Sequence, residues 1–118
     1  MTEISKALQA FFSGFGWPAY AEYSIPETAE LPYITYSPAA PDWRESAILQ
    51  ARIWDRSTSY AGVNAIADRM AETVGEGLRI PAAGGFLWLN KGTPFAQAMS
   101  TSTDIKVLYI NIQLQAFV

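Results

Sequence analysis

Apolar residues in the first fifteen positions recur with a helical period. Ile4, Ala7, Leu8, Phe11, Phe12 and Phe15 fall on one face at the 3, 4, 7, 8 spacing. This predicts an amphipathic helix over residues 3 to 15, with Thr2 as N-cap and with Gly14, Gly16 and Pro18 stopping it. Its phenylalanines are core side chains. The period then drops to two. Ala19 to Ile25, Leu31 to Ser37 and Ser46 to Asp55 read as extended segments rich in aromatic and β-branched residues. In the third of these, Ala47, Leu49, Ala51 and Ile53 point one way and Ser46, Gln50 and Arg52 the other. Pro26, Glu27 and Thr28 form a turn, Pro32 suits only a first position or an edge, and Pro38 to Trp43 is a proline-punctuated loop.

The helical period returns over residues 57 to 77. Tyr60, Val63, Ile66, Ala67, Met70, Ala71 and Val74 mark a buried stripe, with Asn64, Asp68, Arg69 and Glu72 turned away. Ser57, Thr58 or Ser59 caps its start, and Gly75 or Gly77 its end. A short strand is expected at Leu78 to Ile80 and another at Phe86 to Leu89. A loop is expected from Gly92 to Asp104, ending in the polar tract Ser100 to Thr103. The last strand, Ile105 to Val118, alternates best: Leu108, Ile110, Ile112, Leu114, Ala116 and Val118 share one face. Ile105, Val107, Tyr109, Asn111, Gln113 and Gln115 make its mixed face. The expectation is one α+β domain over residues 1 to 118. It has two layers: a mostly antiparallel sheet of four to six strands and two amphipathic helices, in the order α-β-β-β-α-β-β with a possible further strand.

Composition narrows the chemistry. The 118 residues are half hydrophobic, so the chain buries a substantial core. Cysteine and histidine are both absent. That removes disulfides, thiolate nucleophiles, imidazole acid–base catalysis and the usual zinc ligands. A net charge of −3 argues against a surface that tracks phosphates. No glycine-rich phosphate loop and no nucleophile elbow occurs, and the Gly84-Gly85 pair precedes a strand where a phosphate cradle needs a helix. Glu22, Glu27, Glu30 and Asp42 lack ligand spacing. No metal, cofactor or catalytic residue is therefore expected. The first fifteen residues carry Glu3 and Lys6 within a helical pattern, so no secretion signal is expected there, and no apolar run approaches the length of a membrane span.

Aromatic residues outside the predicted core carry what signal remains. Trp43 lies in the proline loop beside Arg44. Trp54 falls on the polar side of its strand, Phe95 in the long loop and Phe117 on the mixed face of the last strand. Aromatic residues and arginine away from a core mark protein contacts, or else a covering layer.

Four stretches carry a resemblance: Leu31-Pro32-Tyr33-Ile34-Thr35-Tyr36, the helix from Tyr60 to Asp68, Thr93-Pro94-Phe95-Ala96-Gln97, and the closing Tyr109-Ile110-Asn111-Ile112-Gln113. In their order and spacing the chain resembles the tail terminator (tail completion) proteins of long-tailed phages and prophages. The resemblance implies a non-enzymatic virion protein of the tail and neck, made in the bacterial cytoplasm. It also implies a ring, usually of six copies, that caps the head-proximal end of the tail tube. The implied partners are further copies of the chain, the tail-tube protein and the head-completion protein, with DNA passing through the lumen unbound and no membrane involved. Heterologous, head-to-tail contacts close such a ring. Sheet edges, Trp43 and Arg44, Trp54, the segment Thr93, Pro94, Phe95 to Met99, and Phe117 are the contact candidates.

Three other readings compete with this one. A head-completion or adaptor role differs only in the partner bound. A small cofactor-free enzyme would rely on Asp55, Asp68 or Tyr109. A single-strand nucleic-acid binder conflicts with the charge balance and the scarcity of lysine.

Overall fold

The structure, a computed structural model, describes residues 2–37, 46–82, 84–99 and 103–117. The amphipathic stripe at the start forms α1 (Thr2–Ser13), closed by the Gly14 N–H on the Phe11 carbonyl at 3.2 Å. Ile4, Leu8 and Phe12 are buried along it, and Phe15 buries just beyond its end. The chain then crosses into β1 (Ala19–Ala21) and β2 (Tyr33–Tyr36). These are shorter than the extended segments expected, and Pro32 falls just outside β2. The loop around Trp43 and Arg44 lies outside the described residues.

The alternation from Ser46 onward produces β3 (Ser46–Arg56), with Leu49, Ala51 and Ile53 buried as their spacing requires. The second helix, α2 (Ala61–Val74), is shorter than the 57 to 77 expected. Ser57 Oγ accepts from the Ser59 N–H at 3.0 Å, and Ser59 Oγ accepts from the Ala61 N–H at 3.1 Å. These local serine turns compete with helical hydrogen bonds and hold residues 57–60 out of the helix. Tyr60 becomes the N-cap without a side-chain cap bond, and Gly75 is the C-cap, donating to Ala71 O.

The last third is β4 (Leu78–Ala82), β5 (Gly85–Ala98) and β6 (Ile105–Phe117). The expected loop after Gly92 is overturned: residues 92–98 continue β5, so Thr93, Pro94 and Phe95 belong to a strand. Gly92, Thr93, Pro94 and Phe95 stand opposite the single Asn111, a bulge that interrupts the ladder between Lys91 and Ala96. A Cβ at Gly92 would lie 2.8 Å from Asn111 Cβ, and Asn111 Nδ2 donates to Pro94 O at 3.0 Å. Glycine and proline read as breakers in sequence. Here they are the two residues that let the strand pass Asn111.

The sheet order is β1-β2-β3-β6-β5-β4. β1 runs parallel to β2 and every other pair is antiparallel. Both helices contribute to one hydrophobic core on the inner face, where Leu8, Phe12, Ile53, Met70, Leu89 and Ile112 are fully buried. Burial of each such side chain contributes about 1.5–3 kcal/mol. α2 rests on β3, β5 and β6, whereas α1 touches both β1 and β4, the two outermost strands. The sheet therefore curls around α1, giving the expected α+β, two-layer arrangement with six strands.

Gly77 fixes the turn from α2 into β4. Its φ is +144°, and a Cβ there would lie 2.2 Å from the Trp88 ring. Gly77→Ala is expected to cost upwards of about 2 kcal/mol, a fall in Tm of about 8 °C or more. Thermal unfolding followed by circular dichroism measures it, and an unchanged Tm would contradict the packing described.

Candidate interaction surface

The outer face of the sheet has no helix over it among the described residues. Its residues follow from the register. Tyr33, Trp54 and Val107 lie side by side across β2, β3 and β6, and the Met99 N–H donates to Val107 O at 3.0 Å. Tyr20 of β1 meets Tyr33 edge-on at 5.8 Å, and Tyr33 meets Trp54 at 6.2 Å. The result is an aromatic and aliphatic stripe crossing the sheet. Trp54 Nε1 donates to Thr35 Oγ1 at 3.0 Å, which fixes the indole. Val107 is buried within the stripe, and Met99 is 44% exposed at its end.

The next row holds Thr35, Arg52, Tyr109 and Gln97. The Arg52 guanidinium lies 4.7 Å from the Tyr109 ring centroid and donates to Glu22 at 2.8 Å. Ser37 Oγ donates to the other Glu22 oxygen. That hydrogen bond outweighs the opposing effect of burial and, with the lesser help of the charge and hydrogen bond of Arg52, holds the Glu22 carboxyl below its ordinary range. Beyond this row the face is lined by amides, with Gln50, Asn111, Gln113 and Asn90 around Ile48, which is 58% exposed. At the far end Phe117 stacks on Phe86 at 4.9 Å, and Arg79 covers Phe86 at 4.2 Å. Aromatic residues, arginine and methionine are the side chains enriched in protein interfaces, and carboxylates are depleted there. Glu22, which follows β1, reaches this face through its ion pair with Arg52.

The structure brings Trp54 and Met99 to opposite sides of Val107, and it places Phe117 at the other end of the same face. Thr93 and Pro94 are exposed in the β5 bulge. Phe95 packs against the hydrophobic core, so its role is at least partly structural. Tyr20, Tyr33, Ile48 and Arg79 were not singled out from sequence. The signal for Ile48 was its position on the polar side of a strand whose other side is apolar. Asp55, Asp68 and Tyr109 are not assembled into a site. Asp68 is exposed on α2, Asp55 lies beside Gly62, and Tyr109 sits under Arg52. Two open grooves of about 470 Å³ each are lined by Ser5, Lys6, Gln9, Ala10, Ser13 and Tyr36, and by Ala29, Glu30, Leu31, Tyr33 and Arg56. Neither contains any of those three residues. No helix among the described residues is long and apolar enough to cross a membrane.

Glu22 yields a pH prediction. A carboxyl whose pKa is lowered on folding stabilises the protein above its unfolded value, and the contribution disappears as pH falls through the folded value. Wild type is expected to exceed Glu22→Gln in stability at neutral pH by at most about 1 kcal/mol, as for partly exposed ion pairs. The gap should close as pH drops below the ordinary value of 4.5. Urea unfolding of both proteins from pH 7 to pH 3 measures this; a gap that widens on acidification would contradict it.

No family model matches the chain, and no curated protein matches it. Two solved structures share its fold over almost the whole length. One is a chain of the virion of the native gene transfer agent (GTA) particle, with a TM-score of 0.61, 14% identity and 97% of both chains covered. The other has a TM-score of 0.62 and 13% identity, covering 99% of this chain and 94% of its own.

Proposed function

We propose that this chain is a structural protein of a phage-like virion, and specifically a tail terminator. In this reading, copies form a ring on the head-proximal end of the tail tube and present a surface to the head-completion protein. The observation that carries the proposal is the end-to-end correspondence with a chain of the gene transfer agent virion, since the match leaves no large insertion or missing element on either side. The outer face supports it, being furnished with the aromatic, arginine and methionine side chains enriched in protein contacts.

The dimensions are compatible with a ring. The principal extents are 43 × 31 × 21 Å. Six copies spaced by the intermediate dimension, with the shortest pointing inward, leave an opening of roughly 30–40 Å once side chains are added. Duplex DNA passes through such an opening. A net charge of −3 is in keeping with a conduit that lets phosphates pass.

The test is native mass spectrometry and negative-stain microscopy of the chain, alone and mixed with a phage tail-tube protein. Six-membered rings that arrest tube growth are expected. A chain that stays monomeric with the tube protein and leaves tube length unchanged would overturn the reading. Trp54→Ser is expected to weaken association with the tube protein at least tenfold and to lower monomer Tm by several degrees, because the indole packs on Tyr33 and hydrogen-bonds the buried Thr35 hydroxyl; unaltered association, compared well below the lowered Tm, would remove Trp54 from the contact surface.

A further inference from the structure

The sheet has three margins where another strand could add, and their main-chain hydrogen bonds differ. In β1, the Glu22 N–H donates to Tyr36 O and the Ile34 N–H to Pro18 O, so Ala19 and Ala21 face outward. Both outward carbonyls are occupied. Ala19 O accepts from Gln9 Nε2 at 2.8 Å, and Ala21 O accepts from the Ser24 N–H at 2.9 Å. The β4 margin contains Pro81, which has no N–H to offer. The third margin is the second half of β5. β4 pairs with β5 only as far as Leu89, so from there to Ala98 β5 has a neighbour on one side only. The Met99 N–H bond to Val107 sets the alternation: Gln97 and Met99 turn toward β6, and Ala96 and Ala98 turn their N–H and C=O groups to the open side. No charged residue lies between Lys91 and Asp104. Natural edges are usually guarded by charge, proline or a bulge. Here the guards, Pro94 and the bulge, precede Ala96 and leave the rest open.

At the opposite margin of the sheet, the connection leaving β1 is exposed and apolar. Tyr23 is 80% exposed and Ile25 38%. The Ser24 N–H and the Pro26 carbonyl are used within the chain, the latter accepting from the Ala29 N–H at 3.0 Å. The main-chain groups of Tyr23 and Ile25 have no partner among the described residues. They are two residues apart, as are Ala96 and Ala98.

We infer that the Tyr23–Pro26 arm of one copy adds as an antiparallel strand along the Ala96–Ala98 edge of the next copy, forming the head-to-tail contact of the ring. The inference rests on the ring reading and specifies its joint. Three observations select a second copy as the occupant. Arm and edge sit at opposite margins of one sheet, so a copy cannot satisfy its own edge and a chain of copies can close. The edge is uncharged, and so is the arm from Tyr23 to Pro26. The flanking charges choose the direction, because antiparallel addition carries Glu27, just after the arm, toward the exposed Lys91, just before the bulge. Ala96 and Ala98 leave room beside them for the larger Tyr23 and Ile25.

The chain contains no cysteine, so an engineered pair reports the joint directly. The double variant Ile25→Cys with Ala96→Cys, oxidised mildly at concentrations where native mass spectrometry shows the oligomer, is expected to give a ladder of covalent multimers up to the ring's subunit number, reversed by reductant. Each single variant should give dimers at most. In wild type, the amides of Ile25, Ala96 and Ala98 should exchange rapidly in the monomer and at least tenfold more slowly in the oligomer. Rings with no ladder beyond the single variants and no added protection would overturn the arm-to-edge joint and leave the ring reading standing. A wild-type chain that forms no oligomer, alone or with the tube protein, would overturn both.

Discussion

The seating of α1 in the curled sheet governs the rest of the structure. Its apolar face, from Ile4 through Leu8 to Phe12, reaches both outermost strands, so one helix fixes the curvature of six strands. Phe12 stacks on Tyr36 at 4.8 Å, and Phe11 packs edge-on against Phe12 and Phe15. The polar side of the same helix completes the joint. Gln9 accepts from Tyr36 Oη at 2.6 Å and donates to Ala19 O, and burial pushes the Tyr36 hydroxyl pKa upward, keeping it a donor. This one side chain ties the helix to two strands and occupies a carbonyl that β1 would otherwise present to another molecule. Closing one margin of the sheet makes the molecule's edges unequal, and unequal edges are what head-to-tail assembly needs.

The outer face shows the same economy. Its aromatic rings are not loose: Trp54 is held by Thr35 and Tyr33, Tyr109 by Arg52, and Phe86 by Phe117 and Arg79. Side chains already fixed by neighbours lose little entropy when a partner covers them, so affinity is not spent on ordering the surface. The same stacking keeps large apolar groups half-covered in the single chain, which limits indiscriminate association.

The strands and helices that make the core were legible because burial imposes a period, and Leu8, Leu49, Ile53, Met70, Ile110 and Leu114 obey it. Residues 92–98 were misread for a physical reason: Gly92 and Pro94 disfavour a regular strand, and only the distant Asn111 makes a bulge there preferable to a loop. The overlong second helix had a similar cause, since the serine turns at Ser57 and Ser59 carry less sequence signal than the apolar stripe that follows. The outer-face position of Trp54 was readable from alternation alone. The stripe it joins was not, because strand order and register place Tyr20, Tyr33, Val107 and Met99 beside it from four separate parts of the chain.

An open β5 edge has one obvious competitor for the arm of a neighbour, namely the β5 edge of another copy. Pairing of identical edges would be two-fold and would close at a dimer. Side chains decide against it. Self-pairing about Gln97 would set alanine against alanine and bury little apolar surface, whereas the arm brings the largely exposed Tyr23 and the exposed third of Ile25. At about 25 cal/mol per Å² of apolar area, removing a tyrosine ring and an isoleucine from water favours the arm by an amount that backbone pairing alone cannot supply, since both alternatives make similar main-chain hydrogen bonds. The charges act in the same sense. Two β5 edges would bring Lys91 residues to both ends of the joint with no carboxylate from the paired segments to meet them, while the arm delivers Glu27. The contact that buries more and balances charge is thus the one that leaves a free arm at one end and a free edge at the other, as the proposed head-to-tail ring requires.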